Sequence, residues 1–85
     1  MIWRVGFTPR AAKEFAALEP RSRERIGAAI ARLADDPQSA PNVKALRGGG
    51  YRLRVGDWRV LYHLLGDALV VLVIAVAHPR EVYRR

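Results

Sequence analysis

About half of the 85 residues are apolar, enough for one compact domain over residues 1–85 with little core to spare. Cysteine is absent, which excludes a disulfide framework, thiol chemistry and the usual zinc-finger patterns. The net charge of +7 comes mostly from arginine, with Lys13 and Lys44 the only lysines, and a fork-shaped guanidinium suits phosphate better than a point charge does.

The charge is unevenly placed. From residue 43 onward eight basic residues face three acidic ones, whereas the earlier part carries seven against five. A domain with so basic a half is expected to meet nucleic acid, an acidic protein segment, or both in turn. The longest apolar stretch, residues 68–77, falls well short of the roughly 20 residues of a membrane span. The opening MIWRVGF has no long apolar run behind a basic segment, so the expectation is a soluble, cytoplasmic protein without membrane contact.

In chain order, residues 3–7 read as a strand, with Trp3, Val5 and Phe7 on one face and Arg4 and Gly6 on the other. Thr8 is a good N-cap and Pro9 is tolerated at the first helical position. A helix is therefore expected over about residues 9–18, burying Ala12, Phe15, Ala16 and Leu18. Glu19-Pro20 breaks it. A second helix over about residues 21–34 has Ile26, Ala29, Ile30 and Leu33 at helical spacing and its arginines mostly outside. Residues 38–50 read as loop apart from a short stretch at 43–46, and Gly48-Gly49-Gly50 reads as a flexible connector, since no strand-glycine-helix context supports a P-loop. Two hairpin strands follow, then a turn at Gly66-Asp67 and the continuous run ALVVLVIAVA, suited to a central strand covered on both faces. The order β-α-α-β-β-β gives an α+β fold, a helical hairpin packed on one face of a four-stranded, mostly antiparallel sheet with the other face open.

The hairpin carries the chemistry. In YRLRVGDWRVLY, residues 51–62, a two-residue Gly56-Asp57 turn pairs Val55 with Trp58 and sets Arg54 across from Arg59, with Arg52 on the same face. Like charges directly opposite destabilise a sheet, so the guanidinium groups either stand in water or are held ready for an anion. Leu61 and His63 share that face by parity. The closing AHPREVYRR adds His78, Arg80, Tyr83, Arg84 and Arg85 nearby. Arginine beside an aromatic ring suits an unpaired nucleotide, with phosphate on the guanidinium and base on the ring.

Other chemistries lack their residues. Asp35 and Asp36 lie at a helix end, Asp57 and Asp67 lie in turns, and Glu81 has basic neighbours, so no carboxylate pair is arranged for glycoside or metal chemistry. Two distant histidines make no metal site, and neither Ser22 nor Ser39 occupies a nucleophile elbow. Cofactor-free phosphoryl chemistry on RNA remains, in which the 2′-hydroxyl attacks its own phosphate and the protein supplies cations, a proton acceptor and a proton donor.

The segments LRGGGYRLRVGDWRVLY and AHPREVY resemble the RelE/ParE superfamily of bacterial toxins, and specifically its RelE-like messenger-RNA interferases. The resemblance spans nearly the whole chain. It implies a type II toxin that enters the ribosomal A site and cleaves mRNA by 2′-hydroxyl attack, without metal. It also implies a cognate RelB-like antitoxin, held in a hetero-oligomer. Arg52 and Arg54 match the basic positions that hold the phosphate, Arg59 the arginine that stabilises the transition state, and Tyr83 the C-terminal tyrosine that stacks on or activates the nucleotide. His78 matches a frequent histidine. The chain departs from the pattern at Ala77 and Pro79, and Arg80 stands one position beyond the arginine expected at the leaving group. Arg47, Tyr51, His78, Arg84 and Arg85 are assigned to RNA contact. The same scaffold also admits a ParE-like inhibitor of DNA gyrase and a catalytically inactive basic binding module.

Overall fold

The computed structural model describes residues 3–78. Strand β1 (Arg4–Phe7) leads into helices α1 (Pro9–Ala16) and α2 (Pro20–Asp35), followed by β2 (Val43–Ala45), β3 (Tyr51–Val55), β4 (Trp58–Leu65) and β5 (Val70–Ala77). The five strands form one mixed sheet in the order β1-β5-β4-β3-β2, in which β1 runs parallel to β5 and the other pairs are antiparallel. The α+β class and the helical hairpin are as the sequence predicts; the strand count is five, because residues 43–45 pair with β3 as a short edge strand.

Local chemistry explains both helices. Thr8 is extended at the N-cap of α1 and its hydroxyl accepts the Ala11 N–H at 3.2 Å, with Pro9 inside the first turn. The Arg23 guanidinium donates to the carbonyls of Ala16 and Leu18 at 3.3 and 3.0 Å, satisfying acceptors that the end of α1 leaves open. From α1 it is Ala11 that is buried, together with Leu18 beyond its end, while Ala12 and Ala16 are exposed. The expected face of α1 is therefore corrected by about one position. AAKEFAA has alanine on every side, so its spacing carries little contrast.

The core lies between the helices and one face of the sheet. Ile26, Ile30 and Leu33 of α2 meet Leu53, Val55, Val60, Tyr62, Val71, Val73 and Val76, all buried. Val5, on the edge strand, is 38% exposed.

An extra residue in β5 changes the meaning of its apolar run. Leu61 pairs with Ala75 but Tyr62 pairs with Val73, which leaves Ile74 as a bulge. Before it the odd residues Val71 and Val73 face the core; after it Val76 does. Thr8 and α1 secure this irregularity: the Thr8 N–H donates to the Val73 carbonyl at 3.0 Å, and a Glu14 carboxylate oxygen accepts the Val76 N–H at 2.9 Å. β5 is interior to the sheet, as expected, but helices cover only one of its faces. On the other, Val70, Leu72 and Ala77 are half-buried.

Candidate nucleic-acid interface

The hairpin register places the candidate residues. Val55 pairs with Trp58 and Arg54 with Arg59 across the Gly56-Asp57 turn, as the sequence predicts, and Arg52 pairs with Leu61. Partners in register share a face of the sheet. On the face away from the helices, one row therefore reads Arg54, Arg59, Ala77 and the next reads Lys44, Arg52, Leu61, Ala75. The result is an apolar floor of Leu61, Ala75 and Ala77 bordered by four cations.

Lys44 is the member that sequence reasoning did not assign. Only its pairing with Arg52 through the three-residue β2 puts it on this face; the signal was the short stretch ahead of the glycine run. Among the described residues the single ion pair is Arg10 with Glu14 at 3.2 Å, so Lys44, Arg52, Arg54 and Arg59 have no carboxylate partner there. Directly opposed residues have Cα atoms about 5 Å apart. Even charges at that separation repel by only about 0.8 kcal/mol in water, small enough to be tolerated and relieved by a bound anion. Nη1 of Arg59 donates to the carbonyls of Asp57 and Trp58 at 3.4 Å, long contacts that hold the guanidinium toward the turn and that a phosphate would displace at little cost.

The glycine run is a closed hairpin turn rather than a loose connector. The Leu46 N–H donates to the Gly50 carbonyl at 2.9 Å, and Gly48, Gly49 and Gly50 have φ of 90°, 107° and 83°, a region that residues with a side chain rarely enter. Arg47 is exposed within this turn. His63, half-buried on the open face, lies over Gly50: a Cβ there would stand 3.0 Å from its Cε1.

Tyr51 and His78 lie on the other side. The Tyr51 ring stacks on Tyr62 with centroids 5.5 Å apart, on the core face. The bulge gives the open face to Ala75 and Ala77, and the His78 ring meets Trp58 edge-on at 5.1 Å, at the margin of the core. Tyr62 is 1% exposed, and burial, with Tyr51 beside it, pushes its phenol up to about 12. Arg80, Tyr83, Arg84 and Arg85, together with Pro79, lie outside the described residues.

A second basic feature occurs on the helix side. Arg25 and Arg32 of α2 flank a groove of about 290 Å3 against β3, with the Arg25 guanidinium resting on Gly56. Among the described residues no three of His, Asp and Glu cluster as metal ligands, and no helix is long and apolar enough to cross a membrane.

Two helices packed on one face of a mixed five-stranded sheet form the α+β fold of the RelE toxins, within the RelE/ParE superfamily. Residues 5–83 match the family described as the ParE toxin of the type II toxin-antitoxin system parDE, and the chain belongs to that family. Among solved structures, it is similar to the toxin-antitoxin complex RelBE2 from Mycobacterium tuberculosis, at 26% identity over 92% of this chain and 99% of that one, with a TM-score of 0.78. It is also similar to the intact RelBE toxin-antitoxin complex of E. coli, at 28% identity over 89% and 95% of the two chains and a TM-score of 0.73. The RelE-RelB complex of the archaeon Pyrococcus horikoshii shares the fold at 24% identity, covering 92% and 96% with a TM-score of 0.79. No curated protein matches the chain significantly.

Proposed function

We propose that this toxin is a ribosome-dependent endoribonuclease that cleaves mRNA in the A site and so stops translation. The observation that carries the reading is the group of Lys44, Arg52, Arg54 and Arg59 on one open face, without carboxylate partners among the described residues, around an apolar floor. The likeness to RelE structures supports it.

In this mechanism Arg52 and Arg54 hold the scissile phosphate, each guanidinium donating to non-bridging oxygens. Arg59 leaves its turn carbonyls for the charge that builds as the ribose 2′-oxygen bonds to phosphorus. The P–O5′ bond breaks, giving a 2′,3′-cyclic phosphate and a 5′-hydroxyl. A guanidinium stays protonated and cannot accept the 2′-hydroxyl proton. Proton transfer is assigned to Tyr83, and Arg80 is assigned to the leaving oxygen. Arg47, Arg84 and Arg85 add attraction for the RNA backbone. A RelB-like antitoxin, the partner kind of the solved relatives, would block this face with an acidic segment.

Purified protein added to a bacterial cell-free translation reaction, with message ends mapped by primer extension, tests the reading. Cuts in A-site register that disappear with Arg59→Ala support it; an intact message and normal translation overturn it. The match to the ParE family favours a second reading, inhibition of DNA gyrase by binding alone. Loss of supercoiling activity with an intact message would support that one, and a harmless parental protein would indicate an inactive binding module.

A further inference from the structure

Across the open face, Arg59 and His63 are four residues apart on β4, about 13 Å along the strand. The Arg59 guanidinium is held toward the turn, away from His63. With the scissile phosphate held at Arg52 and Arg54, His63 stands beside a nucleotide that flanks it. Its imidazole makes no hydrogen bond or ion pair among the described residues. Continuing the β3–β4 register past Tyr51 and Tyr62 brings Gly50 opposite His63, where a side chain would collide with the ring: a Cβ would lie 3.0 Å from Cε1 and 3.3 Å from Nδ1. Leu72 pairs with His63 from β5, and Arg52 lies diagonally across on β3. The ring thus has a vacated seat, an apolar neighbour and a cation beside it.

We propose that His63, seated over Gly50, is a stacking subsite for the base of a nucleotide flanking the scissile phosphate that Arg52 and Arg54 hold. The subsite rests on the endoribonuclease reading above. Bases stack on imidazole as they do on other aromatic rings, and the contact depends on the ring rather than on its charge. His63 then positions the message without touching the reacting atoms.

The test compares the parental toxin with His63→Phe and His63→Leu on programmed ribosomes, following cleavage against toxin concentration. The message is intact or carries an abasic residue at either position flanking the cut. His63→Leu should raise the half-saturating concentration at least about fivefold on intact message, and His63→Phe by no more than about twofold. With the abasic residue at one flanking position, parent and His63→Leu should become equal, since the two changes remove the same contact. Equal behaviour of Leu and parent on intact message overturns the subsite, as does a loss in Leu that the abasic residue leaves unchanged. A parent that cleaves neither message overturns the endoribonuclease reading, and the subsite with it.

Discussion

Tyr62 shows how one buried group links packing to pH. Its hydroxyl is buried without a hydrogen-bond partner among the described residues, and its phenol is raised from 10.0 to about 12, first by burial and then by Tyr51. The unfolded chain releases this proton from about pH 10 upward while the folded chain retains it. The fold is therefore unaffected by this group below about pH 10 and loses stability as pH rises to about 12, on the order of 3 kcal/mol. Tyr62→Phe should unfold in urea at pH 7 with equal or up to about 1 kcal/mol greater stability, because an unsatisfied hydroxyl is removed. Between pH 10 and 12 the variant should lose less stability than the parent; parallel losses would contradict this account of Tyr62. At this scale the sequence was legible where chemistry was explicit. The arginines of the hairpin could be read directly, whereas Lys44 gained its place only from a three-residue strand.

Among the elements, the β3–β4 hairpin was the most legible, since a two-residue turn leaves one register and that register sets Arg54 against Arg59. β5 was the least. Residues 68–77 contain no polar side chain to mark which face is which, so nothing in the run announces the bulge at Ile74. That bulge is what turns the His78 ring toward Trp58 and leaves small alanines beside the arginines. α1 holds it by a single side chain, Glu14, whose carboxylate accepts the Val76 N–H. Glu14→Ala leaves that N–H without its acceptor and should destabilise the fold by about 1–2 kcal/mol, whereas Glu14→Gln keeps an acceptor oxygen and should lose less. Urea unfolding of the three proteins measures both, and equal stability of Ala and parent would show that the bulge does not depend on α1.

At the scale of the molecule, a charge of +7 draws any polyanion, and the fold decides which face receives it. If Arg52 and Arg54 share one phosphate and Lys44 and Arg59 each neutralise another, the logarithm of affinity for single-stranded RNA should fall against log salt with a slope of about −2, and Arg54→Ala should flatten it, by no more than about 0.7. An unchanged slope would remove Arg54 from the contact. The helix side offers a control of equal charge, because Arg21 and Arg32 are both exposed on α2. The measurement to make is therefore the mRNA cleavage rate in a reconstituted translation reaction for two double variants, Arg54→Ala/Arg59→Ala and Arg21→Ala/Arg32→Ala. Loss of at least about a hundredfold in the open-face variant, with the helix-side variant within about threefold of the parent, is the expected result, since in the proposed mechanism the first pair acts on the scissile phosphate and the second only adds to the net field. Equal losses in the two would mean that charge alone, and not the cradle on the open sheet face, carries the activity.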